Sequence, residues 1–148
     1  MSMNNIKNAM TDDHRRCDDI FSDVEQAVAA QEWDRAIVAF ASFFEAMTGH
    51  FTAEEDFLFP AFEAASGMTM GPTQVMRDEH VQMRELMSAA RDTLALKDAD
   101  DYSGNAETLL IMLQQHNMKE ENILYPMCDD HLKDQVTTFL SKLHQKLQ

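Results

Sequence analysis

One eleven-residue stretch occurs twice in this chain, and any fold has to accommodate both copies. His50-Phe51-Thr52-Ala53-Glu54-Glu55-Asp56-Phe57-Leu58-Phe59-Pro60 returns 66 residues later as His116-Asn117-Met118-Lys119-Glu120-Glu121-Asn122-Ile123-Leu124-Tyr125-Pro126. Five of the eleven positions are identical, and a sixth exchanges one aromatic, Phe59, for another, Tyr125. Unrelated windows of average composition agree at roughly one position in fifteen, so less than one identity is expected by chance. The register continues upstream. His14, in Asp12-Asp13-His14, lies 36 residues before His50, and His80, in Asp78-Glu79-His80, lies 36 before His116. Four of the six histidines therefore obey a single internal two-fold repeat.

At 148 residues the chain reads as one domain, 1–148, with 1–10 as an N-terminal arm; that length can bury about two-thirds of its unfolded surface. Four Gly and three Pro against 45% hydrophobic residues suit a compact helical protein and exclude linker-rich or collagen-like architecture. There is no run of about 18 apolar residues and no charged-then-apolar leader, so the expected location is the cytoplasm, with no membrane association. Cys17 and Cys128 are too few for a disulfide framework and read as reduced, apolar thiols. A formal charge of −14 without a Lys/Arg cluster argues against nucleic acid and anionic membranes as partners.

Periodicity predicts an all-α chain. Thr11, Asp12 and Asp13 form a helix start, and the first helix is expected from about Asp12 to Ala30 with His14, Cys17, Phe21, Val24 and Val28 inward. Asp34 can cap the second, which carries Phe40, Phe43, Ala46, Met47, His50, Glu54 and Phe57 on one face and should kink or end at Pro60. A turn over 67–73 leads to a third helix from Pro72 or Thr73 to about Lys97, with Met76, His80, Met83, Met87, Ala90 and Leu94 inward. Residues 98–104 read as a polar loop. A fourth helix from about Asn105 to Met127 presents Leu109, Met112, Leu113, His116, Glu120 and Ile123, and a fifth runs from about Asp130 to Lys146. Two repeated pairs of long helices predict an up-down-up-down four-helix bundle with an internal two-fold repeat and a short C-terminal helix.

Residues four apart on a helix differ by only about 40° around its axis, so His50 with Glu54 and His116 with Glu120 each form a nitrogen-plus-carboxylate clamp. That face is otherwise apolar, and burying these groups without partners would cost several kcal/mol per charge. Metal ions remove the penalty by using each group as a ligand. The doubled pattern implies two metals held by His14, His50, Glu54, His80, His116 and Glu120, with the two Glu able to bridge. Imidazole plus carboxylate suits iron or manganese; zinc is disfavoured because no cysteine joins the set. Glu55 and Glu121 lie roughly 140° from their histidines and are expected to be dispensable, with Glu121 in reserve for Glu120. His131 and His144 fall outside the repeat and read as ordinary polar residues, and the inward methionines as core filler.

In the order Asp13-His14, His50-Phe51-Thr52-Ala53-Glu54-Glu55, Glu79-His80 and His116-Asn117-Met118-Lys119-Glu120-Glu121, these motifs resemble the hemerythrin-like (HHE cation-binding) family over nearly the whole chain. The resemblance implies an oxo- or hydroxo-bridged di-iron centre with His14 and His50 on one iron, His80 and His116 on the other, and Glu54 and Glu120 bridging. One departure stands out. The family's oxygen carriers have a further His one turn after the third-helix His, where this chain has Arg84; the repeat counterpart is Asp18. Arg84 is expected to reach solvent, or to pair with Asp18 or Glu121, and the missing imidazole leaves a more open centre.

The resemblance implies a non-haem di-iron protein that binds or reacts with dioxygen, nitric oxide or hydrogen peroxide, in sensing, detoxification or iron handling. A reversible oxygen carrier and an iron donor for iron-sulfur repair are the alternatives. The expected partners are that small ligand and a protein of unspecified kind.

Overall fold

A computed structural model describes residues 5–147. Seven α-helices follow in order: α1 (Ile6–Ala29), α2 (Trp33–Ala53), α3 (Phe59–Ser66), α4 (Pro72–Ala95), α5 (Ala99–Lys119), α6 (Tyr125–His131) and α7 (Val136–Leu147). Two π turns, Glu54–Leu58 and Glu120–Leu124, run α2 into α3 and α5 into α6 without a break. The bundle therefore consists of four long rods, α1, α2–α3, α4 and α5–α6, and no strand occurs among the described residues. The α1/α2 and α4/α5 hairpins pack across each other, and α7 lies over α1 and α2.

The repeat extends into the hairpin turns. Gln31 and Lys97, 66 residues apart, both adopt left-handed backbone, at φ 57° and 56°. The following amides close the helix ends, Glu32 N–H donating to Ala27 O (2.9 Å) and Asp98 N–H to Thr93 O (3.3 Å). This is the helix-terminating geometry usually given to Gly; a side chain there costs of order 1 kcal/mol. Gly67, at φ 74°, ends α3 in the ordinary way.

Tertiary contacts move several helix boundaries away from their expected places. The first helix starts at Ile6, so residues 6–10 are helix and not an arm; residues 1–4 lie outside the described residues. Asn5 caps it by accepting from Asn8 N–H, while the Asp129 carboxylate accepts from the amides of Ile6 (2.8 Å) and Lys7 (3.1 Å). That distant carboxylate supplies what Thr11 would have supplied locally, and Ile6 and Met10 are buried as a result. Asp34 sits in the first turn of α2 and does not cap it. The loop expected over 98–104 is helix from Ala99 onward, because Asp98 accepts from Asp101 N–H and Tyr102 is buried. The last expected helix is interrupted at Leu132 by a 3-10 turn, Lys133–Gln135.

The π turns have the largest consequence. A proline removes one ladder hydrogen bond and crowds the carbonyl four residues back; a widened turn immediately before Pro60 and Pro126 lets the helix continue past each. Each wide turn also delays the helical register by about one residue. Ile123, expected inside, is 55% exposed, and Phe57 is only partly buried, whereas Leu58, Phe59, Leu124 and Tyr125 are fully inside. The core thus has two apolar clusters, one around Phe40, Phe43, Met83, Met87 and Leu113 and one around Phe59, Phe62, Leu124, Tyr125 and Phe139. Leu124→Ala should cost about 2–5 kcal/mol in urea unfolding, whereas Ile123→Ala should stay within about 1 kcal/mol; the reverse order would show that the register is not delayed.

Candidate metal centre

The rods bring all six expected side chains together, and His14, His50, Glu54, His80, His116 and Glu120 are all buried. Ligand atoms of Glu54, His80, His116 and Glu120 lie within 4.8 Å of one another, as do those of His14, His50 and Glu120. The imidazoles pair across the rods, His14 with His50 at 4.6 Å between ring centroids and His80 with His116 at 5.0 Å. Phe51 and Phe59 stack on His80, at 4.1 and 5.7 Å.

Every imidazole is held from behind by a carboxylate on its Nδ1. His14 binds Glu121 (2.7 Å), His50 binds Asp13 (2.8 Å), His80 binds Glu55 (2.7 Å) and His116 binds Glu79 (2.8 Å). Asp13 and Glu79 are repeat partners, as are Glu55 and Glu121. An N–H donated from Nδ1 fixes the tautomer and turns the Nε2 lone pair inward, where a ligand to a metal is needed. Glu55 and Glu121 face away from the histidines of their own helices, as their spacing predicts, but reach the histidines of neighbouring rods. Glu55 holds the His80 ring from behind, and Glu121 the His14 ring.

Three of the four outer carboxylates carry a cation: Arg16 Nε donates to Asp13 (2.8 Å), Lys119 pairs with Glu79, and Arg84 forks onto Glu55 at 2.7 and 3.0 Å. Arg84 is thus spent on Glu55, and its guanidinium lies 5.2 Å above the Phe51 ring. Its partner is neither Asp18 nor Glu121. Burial would raise the Glu55 carboxyl, but the hydrogen bonds from His80 and Arg84 bring it down to about 2. In the other half Asp18 stands where Arg84 does, and burial, with Glu121 charge adding to it, pushes Asp18 upward.

At the centre, burial and the neighbouring Glu120 charge raise Glu54. Burial acts on Glu120 too, but the charge of His116 beside it, with Glu54 and His14 close by, outweighs burial and holds Glu120 well below the usual range. Burial opposes the charged imidazoles, yet bonds to Glu120 and Glu121 lift His14 to about 10, and the Glu54 carboxylate beside it with the bond to Glu55 lifts His80 to about 9. The same cluster contains a residue that sequence reasoning passed over. Tyr125 Oη is fully buried within 2.7 Å of Glu54 Oε2, 2.9 Å of Glu120 Oε1, 3.2 Å of His14 Nε2 and 3.3 Å of His50 Nε2. The one signal was the Phe59/Tyr125 exchange inside the repeat.

Buried polar atoms test whether a metal fits. His80 Nε2, His116 Nε2, Glu54 Oε1 and Glu120 Oε2 have no hydrogen-bond partner; contacts of 3.1 Å from His80 to Glu54 and 3.2 Å from His116 to Glu120 lack hydrogen-bonding alignment. Each unpaired atom costs about 1–3 kcal/mol, and all four belong to the group whose ligand atoms lie within 4.8 Å of one another. Nitrogen and oxygen lone pairs aimed at one point are what a borderline or hard cation takes. The residues present fit metal ions.

A family model described as the hemerythrin HHE cation-binding domain matches residues 5–128, from the start of α1 into α6 and across every residue of the cluster. The chain belongs to this family. Among curated proteins, one named DNA nickase from Nostoc sp. (strain PCC 7120) is 23% identical over 133 residues, 90% of this chain but 36% of the relative. The chain therefore spans little more than a third of that relative. No solved structure gives a significant match. As in the family's description, this HHE domain has His/Glu groups that could hold cations, and among the described residues no helix is long and apolar enough to cross a membrane.

Glu55→Ala should weaken metal binding about 10- to 100-fold by releasing His80, measured by competition with a chromophoric chelator; unchanged affinity would show that the outer carboxylate does not matter. Imidazoliums must lose their protons to bind a metal. With His14 near 10 and His80 near 9, apparent affinity should rise between pH 6 and 8 and binding should release protons, read by calorimetry in buffers of different ionisation enthalpy. The metal-free protein has the opposite slope. His14 and His80 are raised above their ordinary 6.5, so the stability they contribute is complete below about pH 6.5 and is lost as pH climbs through 9 to 10.

Proposed function

We propose that this chain, as one domain spanning 1–148, is a non-haem di-iron protein of the cytoplasm whose centre binds or reacts with a small ligand: dioxygen, nitric oxide or hydrogen peroxide. His14, His50 and Glu120 would hold one iron and His80, His116, Glu54 and Glu120 the other, so that Glu120 is shared. The observation that carries this reading is the clustering of four imidazoles and two fully buried carboxylates, with a further carboxylate behind each ring. Iron is favoured over zinc because imidazole and carboxylate make up the whole set while both cysteines stay buried and free.

Bound iron would supply one-electron redox chemistry and open coordination for the small ligand. The chain's own residues do the rest. The outer carboxylates and their cations keep the imidazoles from turning. Phe51 and Phe59 close the faces of His80 and exclude water, which strengthens every charge interaction inside. Before a metal binds, Tyr125 holds a proton at Oη next to both inner carboxylates. The carrier alternative, which rests on a fifth imidazole in the family's oxygen carriers, loses support because Arg84 occupies that position and is committed to Glu55. The activity named for the Nostoc relative is not carried over from a match covering 36% of that protein, and the charge of −14 disfavours nucleic-acid phosphates as partners.

Expression in iron-rich medium followed by metal analysis should give about two irons per chain, and zero or one would refute the reading. Because metals bind only the folded state and relieve its buried polar atoms, stripping them should lower the melting temperature; free metal at 100 times its Kd corresponds to about 2.7 kcal/mol. An unchanged melting curve for verified apoprotein would separate metal binding from stability.

A further inference from the structure

Tyr125 breaks the two-fold symmetry of the centre. Its repeat counterpart, Phe59, lies 5.7 Å from the His80 ring, and Tyr125 lies 5.7 Å from the His14 ring. The two aromatics thus hold equivalent places, but only one of them carries an oxygen. Around that oxygen are four polar atoms, at 2.7, 2.9, 3.2 and 3.3 Å. A phenol has one hydrogen and two lone pairs, so it cannot satisfy four neighbours, and the two carboxylates compete for the single proton. The spacing has another meaning. Ligands bound at about 2.1 Å stand about 3.0 Å apart along an octahedral edge, and the four contacts scatter around that value. Tyr125 Oη stands where a fellow ligand of His14, His50 and Glu120 would stand.

The two halves also differ in what they lack. The His80/His116 group counts four residues, Glu54 and Glu120 included, while the His14/His50 group counts three. Unpartnered Nε2 atoms occur on His80 and His116, where no phenol reaches. We propose that Tyr125 is a metal ligand, its phenolate oxygen completing the His14/His50 half of the centre and making the two metal positions chemically unequal. This rests on the two-metal reading above. Binding exchanges the phenol O–H bond for a metal–oxygen bond, the proton being released to the buffer with those of the imidazoliums, and no electron moves. A cation favours the deprotonated form of any group that ligates it.

The chain has two tyrosines, Tyr102 and Tyr125, and Tyr102 is buried against Phe40 in the other apolar cluster, so a spectroscopic assignment is direct. Protein loaded with ferrous iron under argon and then oxidised in air should show a visible charge-transfer band, and resonance Raman excited within it should show tyrosinate ring modes. Tyr125→Phe, which copies Phe59, should lose band and modes completely while the unequal affinities of the two metals converge. Tyr102→Phe should keep both. Should Tyr125→Phe not fold, wild type and Tyr102→Phe decide the matter: ring modes in both assign them to Tyr125. Two bound irons without tyrosinate modes would overturn this inference alone, whereas a protein that takes up no iron overturns the two-metal reading and this inference with it.

Discussion

Four hydrogen bonds from imidazole Nδ1 atoms to carboxylates decide what the middle of this bundle can be. Each joins neighbouring rods: His14 to Glu121, His50 to Asp13, His80 to Glu55 and His116 to Glu79. They hold the rods in register and aim each ring. Without them a buried imidazole would be free to rotate and its Nε2 lone pair would have no fixed direction. A buried centre assembled from several helices needs such support from behind, since 1 Å of looseness is enough to lose a ligand set.

The same interactions explain why a centre so rich in charge can lie between two apolar clusters. Asp13, Glu55 and Glu79 each answer to a cation at the rim, Arg16, Arg84 and Lys119, so charge is compensated outward as well as inward. At the centre, innermost atoms of His80, His116, Glu54 and Glu120 are left without partners. A buried polar network with unpaired atoms at its centre is costly by itself and well suited to a cation. Asp18 in the place of Arg84 makes the two halves electrostatically different, and Tyr125 in the place of Phe59 makes them chemically different. Asp18 and Tyr125 both stand beside His14.

The sequence by itself determined the helical class, the pairing of rods and the six inner His and Glu, because those depend on spacings along single helices: four residues for His50/Glu54 and His116/Glu120, and 66 for the repeat. Spacings along one helix carry no information across rods. From them Glu55 is dispensable and Glu121 a reserve for Glu120, Arg84 goes to solvent or to Asp18 or Glu121, Thr11 starts α1 where Asp129 caps it from across the bundle, and Ile123 faces inward. Only the tertiary structure decided these, for two physical reasons. Long side chains cross the 8–10 Å between packed helices, so a carboxylate facing away on its own helix can face the next one. And a π turn delays the register by a residue, which no 3.6-residue period foretells; that delay turns Ile123 out to water and brings Tyr125 into the centre of the site.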